Sequence, residues 1–512
     1  MLALIVLAVA ALVYGAPIHI LHTTDVHSWV DAHPHNSTLN ADLGSFVSFS
    51  ERFRTMALGD GDDVLMFDTG DFIQGTGFSD ASEIVGQYAY DVTTNLAYDA
   101  LTAGNHDISV DDSVDYMVDT FIPHWGNTFV TTNIYKDGDY LGVPYTVVQS
   151  AQGLRVLVLG FIYHFSNTST GIEIHDLEDI ETEAMFLEAM GQEYDMIVLL
   201  CHIGAQSGSA DIQTIRDMVG RHTADRTPTV VLTGHEHQYY WQDWVEEDNS
   251  FLLESRCFSE AVGIATFELD AAGEMSGLTH EWVLYNEADF ARRVGVSEEA
   301  FMTQHGLAVR EQVQGHVAEL SLEDVLGVSP QRYSAMNPSL IDEASMYALW
   351  MQLIVPCSLV GKAAPNNGYA YITTTSLLEN DVYPGDFTIN DAFVTSPFVD
   401  EYFVVAKDVL GSDLITIYNH LQHYDTLDSP LIGSPTGWMH YVMYPTVPML
   451  DETATYSLLS SDYDGGKVET ALEALGMDQY EVVHFSYDSP HSCLMDFISN
   501  NWSEPGFFKW TC

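Results

Sequence analysis

Seven side chains in the first half of the chain have the types and spacing of metal ligands: Asp25, His27, Asp71, Asn105, His202, His235 and His237. They arrive in five short motifs: Asp25-Val26-His27, Gly70-Asp71, Gly104-Asn105-His106-Asp107, Cys201-His202-Ile203-Gly204 and Gly234-His235-Glu236-His237. In Asp-x-His and His-x-His the two donors share one side of an extended segment, because alternate side chains of such a segment point the same way. A set mixing carboxylate, imidazole and amide suits zinc, manganese or iron, with one carboxylate free to bridge. One motif of this kind is common by chance; five in order are not.

Each motif follows an apolar run: Ile18–Leu21, Val64–Phe67, a weaker Leu101–Ala103, Met196–Leu200 and Val230–Leu232. Strands that end in ligand-bearing turns predict an α/β sheet with a site at its carboxyl edge. Amphipathic stretches predict helices at Phe46–Leu58, Ser82–Leu96, Ser113–Phe121, Ile180–Gln192 and Ile212–His222, with strands Val130–Asn133 and Arg155–Phe161 between them. This β-α-β rhythm runs to a last strand ending at Trp282–Tyr285. Ser297–Val313 then reads as a charged helix. Further on, a helix is expected over Ser339–Ile354, strands at Tyr369–Thr374, Ala392–Thr395 and Tyr402–Ala406, and a helix over Leu410–His420.

The length, 512 residues, calls for two domains. Met1–Tyr14 is apolar, and Val13 and Gly15 fit the −3 and −1 positions of a signal peptidase site, which predicts cleavage after Gly15 and a secreted or lumenal protein. The run falls short of the ~20 residues of a membrane span, and the carboxyl end has no apolar tail, so no stable membrane anchor is expected. Three sequons, at Asn36, Asn167 and Asn501, agree with secretion. Of five cysteines, Cys201 reads as a buried thiol, while Cys357, Cys493 and Cys512 could supply one disulfide of unassigned pairing. Net charge is −58, from 16 basic and 74 acidic residues. Such a field argues against nucleic-acid polymers as partners.

The order of the motifs resembles the calcineurin-like metallophosphoesterases and, within them, the 5'-nucleotidase family. The likeness covers nearly the whole chain. His22-Thr23-Thr24-Asp25-Val26-His27-Ser28-Trp29, Asp68-Thr69-Gly70-Asp71, Ser396-Pro397-Phe398 and Ser461-Asp462-Tyr463-Asp464 are similar to a divergent branch of secreted or vacuolar fungal and protist members. The resemblance implies an α/β fold, a β-sandwich flanked by helices and followed by a smaller α+β domain. It divides the chain into a signal peptide (1–15), a metallophosphoesterase domain (16–285), a helical linker (286–325) and a carboxyl-terminal domain (326–512). It assigns Asp25, His27, Asp71 and His237 to one divalent cation, and Asp71, Asn105, His202 and His235 to a second. The implied reaction is hydrolysis of a small phosphate monoester, with a nucleotide as default substrate, by a metal-bound hydroxide.

His106 follows the ligand Asn105 and is the candidate stabiliser and proton donor for the leaving group. Better-known family members orient that histidine with an aspartate three positions on. Here that position is Ser109, and Asp107 is the candidate substitute. Those members also grip substrate with carboxyl-domain arginines, yet no arginine follows Arg332. Tyr463 sits where one stacking aromatic would fall. Two other readings follow: a cyclic-nucleotide or nucleotide-sugar phosphodiesterase or pyrophosphohydrolase, and a secreted binding protein without turnover.

Overall fold

The computed structural model describes residues 15–356, 368–375, 377–397, 401–428, 441–477, 479–480, 486–487 and 489–502. Residues 1–14 of the expected signal peptide (1–15), Cys357, Cys512 and Phe398 lie outside them. The chain forms two compact units. One comprises Met1–Ile73 and Ser82–His316, the other Gln74–Ala81 and Val317–Cys512. The division falls inside a helix, Gln304–Glu319.

In the first unit two sheets face each other. The first has the order β11-β10-β1-β2-β3, from Met275–Leu284, Ala261–Leu269, Pro17–Thr23, Asp63–Asp68 and Ala100–Leu101. Strands β1, β2 and β3 run parallel, and β10 returns antiparallel beside β1. The second has the order β8-β9-β7-β6-β5-β4, from Tyr239–Trp244, Ser250–Ser255, Thr229–Thr233, Met196–His202, Arg155–Ile162 and Thr146–Gln149. Its four inner strands are parallel.

Alternation along these strands builds the layers. Ile18, Ile20, Leu65, Phe67, Val198 and Leu232 fill the space between the sheets. Their neighbours Leu157, Leu159, Ile197, Leu199 and Val231 face outward, where Ile212, Ile215 and Met218 of the helix Ser209–His222 cover them. Parallel strands buried on both faces read as unbroken apolar runs, and so the ligand-bearing strands were visible in the sequence.

Several boundaries differ from expectation. The helix expected over Ser82–Leu96 is only Gln87–Thr93. Ile180–Gln192 is broken into Leu177–Ile180 and Ala184–Met190. Ala392–Thr395, read as a strand, lies in a helix, Ile389–Thr395, because Thr388 and Asp391 close a reciprocal capping box at its start. The segment expected to link the domains packs on the first unit over much of its length. Phe290 stacks on Phe49 at 4.4 Å, and Arg310 reaches Asp42 and Glu287.

In the second unit the main sheet joins Gly368–Thr374, Tyr402–Leu410, Tyr441–Tyr444, Thr455–Ser461 and Ser486–Tyr487. Helices Asp462–Ala474 and Pro490–Asn501 belong to this unit. Asn501 is buried and its amide donates to the Phe497 carbonyl at 2.8 Å, so its sequon is closed to a glycan, whereas Asn36 and Asn167 are exposed. No helix among the described residues is long and apolar enough to cross a membrane.

Candidate metal centre

The seven predicted donors leave the sheets at their carboxyl ends. Asp25 and His27 follow β1, Asp71 follows β2, Asn105 follows β3, His202 is the last residue of β6, and His235 and His237 follow β7. Five of them take left-handed backbone angles, with φ of 49° at Asp25, 47° at His27, 61° at Asp71, 76° at His235 and 58° at His237. That region costs a residue with a Cβ roughly 1–2 kcal/mol, so so many together mark a turn set held by its surroundings. Close approach adds a second demand. A Cβ on Gly70 would meet the Gly104 nitrogen, and one on Gly104 would meet the Asp71 carboxylate.

Asp71 is the hub. Its Oδ1 accepts the His106 backbone N–H at 2.8 Å. Its Oδ2 lies 3.2 Å from Nε2 of His202 and 3.6 Å from Nε2 of His27. His202 donates Nδ1–H to the Thr69 carbonyl at 2.8 Å, and His27 faces the Ile73 carbonyl through Nδ1 at 3.2 Å. A carbonyl only accepts, so in the neutral rings both Nε2 atoms carry lone pairs. Nε2 of His202 also faces Asn105 Oδ1 at 3.1 Å, and Nε2 of His27 faces Nε2 of His237 at 3.2 Å. His237 in turn lies 3.4 Å from Asp25 Oδ1. Lone pairs converge from several sides, and that is the donor set of a cation.

Donor atoms fall into three overlapping groups, each within 4.8 Å: Asp25, His27 and His237; His27, Asp71 and His106; Asp71, His202 and His235. Electrostatics agree that the pocket calls for positive charge. Burial disfavours a charged His202, yet Asp71 and Asp25 outweigh it and raise its pKa to about 9. Burial also works against charge on Asp25 and Asp71, but the histidines around them hold both below the usual carboxylate range. His106 and His235, where burial dominates, are lowered to about 4 and about 3.

Asp107 requires a correction. Expected to orient His106, it instead accepts backbone N–H bonds from Asp71 and Gly104 at 2.8 Å and from Phe72 at 3.1 Å, and the Tyr90 hydroxyl at 3.0 Å. Its carboxylate ties the Asp71 turn to the Asn105 turn. Ser109 donates its hydroxyl to the His106 carbonyl at 3.1 Å. Tyr463 falls in the helix Asp462–Ala474, and its side chain lies outside those described.

Four side chains around the site escaped sequence reasoning. Buried Glu236, between the two histidines, accepts the Gln206 and Ser207 N–H groups at 2.7 and 3.1 Å. Buried Glu254 of β9 accepts Gln238 N–H at 2.9 Å and Ala205 N–H at 3.2 Å, holding the His202 and His237 turns together. A lone acid directly after the apolar run Phe251-Leu252-Leu253 was the available signal. Cys257 is a buried thiol hydrogen-bonded to His237. Tyr163 lies against His235.

Residues 18–239 match the family model of the calcineurin-like phosphoesterases. That match spans the part of the chain that carries all seven candidate donors. The chain is also 26% identical over 442 residues to an uncharacterized protein of Schizosaccharomyces pombe, covering 80% of this chain and 73% of that one. It is 22% identical over 450 residues to a secreted protein of Arthroderma benhamiae, covering 77% and 67%. Its fold is that of the 5'-nucleotidase from Candida albicans, with a TM-score of 0.85, 21% identity, and coverage of 94% of this chain and 98% of that one. Phosphoric ester hydrolysis is the chemistry of this family, and the clusters around Asp71 are groups that could hold its metal.

Proposed function

We propose that the protein is a secreted phosphomonoesterase that uses two divalent cations, zinc, manganese or iron, and acts on nucleotides. The observation that carries this reading is the single oxygen of Asp71, Oδ2, set between the Nε2 lone pairs of His27 and His202. Asp25, His27, Asp71 and His237 would hold one cation, and Asp71, Asn105, His202 and His235 the other. When bound, such a pair supplies an activated water and neutralises developing phosphate charge. The residues do the rest. Asp71 would serve both cations through Oδ2, and its other oxygen is held by the His106 N–H. Asp107 and Glu254 hold the turns, so that the donors need not reorganise. His106, partly exposed beside His27 with ring centroids 5.0 Å apart, is placed to donate a hydrogen bond to the leaving oxygen.

Nucleotide substrates and secretion are supported by the Candida albicans 5'-nucleotidase fold, the Arthroderma benhamiae secreted relative and the apolar leader Met1–Tyr14. The test is elemental analysis together with hydrolysis of a chromogenic phosphate monoester in added manganese. The expected result is two metal ions per chain with turnover. A protein that binds no metal under those conditions, or binds it and turns over nothing, refutes the reading.

A further inference from the structure

β5 ends at Ile162, whose partner across the sheet is His202. The chain therefore leaves the sheet beside a candidate ligand, and the next residues are Tyr163, His164 and Phe165. Their side chains separate. His164 goes to one side and pairs with Asp176 at 3.1 Å, both well exposed. Tyr163 lies on the ring of His235, centroids 4.3 Å apart and planes at 29°. Phe165 follows Tyr163 at 5.0 Å and 31°. His235 is itself 5.3 Å from the ring of His202. Four rings thus form a file that begins at fully buried His202 and continues through partly exposed His235, Tyr163 and Phe165. Phe165, at the end of the file, is partly exposed, as are the candidate ligand Asn105 and His106.

We propose that Tyr163 and Phe165 form a platform on which an aromatic ring of the substrate's leaving group stacks, which makes nucleoside and aryl phosphates the favoured class. The assignment rests on the phosphomonoesterase reading above. Phosphate held at the ligands would leave the ester's other end outside them, and partly exposed Phe165, two rings out from His235 and backed by Tyr163, offers π-stacking area without base selection. Stacking of this kind tolerates every base because every base has a π-face.

Adenosine 5'-monophosphate and ribose 5-phosphate test it, because they share one leaving oxygen and differ in the ring. The wild type is expected to favour the nucleotide in kcat/KM by roughly tenfold or more, within the range of a base–aromatic stack. Phe165→Ala should collapse that ratio several-fold, mainly through KM, with metal content unchanged. Phe165 is the cleaner variant because its ring contact is with Tyr163 and not with a candidate ligand. Tyr163→Ala should act the same way, and Tyr163→Phe should restore the ratio. Equal losses on both esters with falling metal content would make Tyr163 a support for His235 and overturn the platform, as would a wild type indifferent to the ring. If the wild type hydrolyses neither ester, the phosphomonoesterase reading fails on its own. Calorimetric binding of the two compounds to the manganese-loaded protein then decides. Preference for the nucleotide, lost in Phe165→Ala, upholds the platform, and equal binding removes it.

Discussion

Asp71 and Asp464 are both buried carboxylates placed just after a strand, one in each unit, and their surroundings are opposite. Asp464 meets donors: its Oδ2 accepts the Thr373 hydroxyl at 2.8 Å, the Thr374 N–H at 2.7 Å and the Thr374 hydroxyl at 3.1 Å. Asp71 meets one backbone N–H and then Nε2 of two imidazoles, which carry lone pairs in the neutral rings and call for a proton or a metal ion there. A buried carboxylate oxygen met by three donors acts as a brace. A buried carboxylate facing other acceptors is costly unless a cation joins it. The comparison separates a structural polar cluster from a chemical one, even inside one unit. Asp107, with three backbone donors and a tyrosine hydroxyl, is a brace of the Asp464 kind, although it lies two residues from Asn105.

The sharpest way to break this contrast is Asp71→Ala. Removing the shared oxygen should empty both proposed cation positions and lower kcat/KM by ~10⁴-fold or more, about 5.5 kcal/mol. His27→Ala should instead weaken one position mainly. Elemental analysis of both variants reads the difference, and an Asp71 variant that keeps its metal would mean that Asp71 is no bridge. Next in size is His106→Ala, with a fall in turnover of ~10²- to 10⁴-fold at unchanged metal content. Joint loss of metal and activity would place His106 among the ligands, with which it already groups spatially.

Substrate range tests the second unit. Its single arginine, Arg332, is paired with Asp381, so no other guanidinium offers a bidentate grip on a phosphate or carboxylate. An aryl phosphate should therefore be hydrolysed within about a hundredfold of the best nucleotide, a gap of ~2.7 kcal/mol. A panel of nucleoside monophosphates, cyclic nucleotides, nucleotide-sugars and an aryl phosphate supplies the values, and a much larger preference would reveal a selective grip.

Smaller effects probe the braces. Asp107→Ala strands three buried N–H groups and should cost about 1–3 kcal/mol of stability, measured by denaturant unfolding. If Asp107 were the partner of His106, activity would fall with stability unchanged. His22, also a buried brace, bonds Ser255 Oγ at 2.7 Å and Thr69 Oγ1 at 3.0 Å. Burial lowers its pKa to about 3, against the pull of Asp25. Between that value and an unfolded pKa near 6.5 only the unfolded chain takes the proton. Stability should therefore fall as pH drops through this window, by up to about 1.4 kcal/mol per pH unit. His22→Gln should flatten the slope between pH 4 and 7.

Much of this was legible in the linear chain. The ligand motifs stood out because each closes a strand buried on both faces, and such strands read as apolar runs ending abruptly in Gly, Asp or His. Residue type and order were enough to name Asp25, His27, Asp71, Asn105, His202, His235 and His237 as candidates. Helix limits such as Gln87–Thr93 and Ile389–Thr395 were less legible, because capping and packing outweigh propensity there.

What only the folded chain decided was direction. Adjacency made Asp107 look like a partner for His106, but the turn aims its carboxylate at the backbone N–H groups behind it. Tyr163 and Glu254 carry no motif, and they reach the centre only because β5 and β9 lie in the sheet that carries His202 and His235. A ligand set is written in residue identity because its chemistry is local. Which neighbours brace it, and which rings flank it, depends on pairings between strands far apart in sequence.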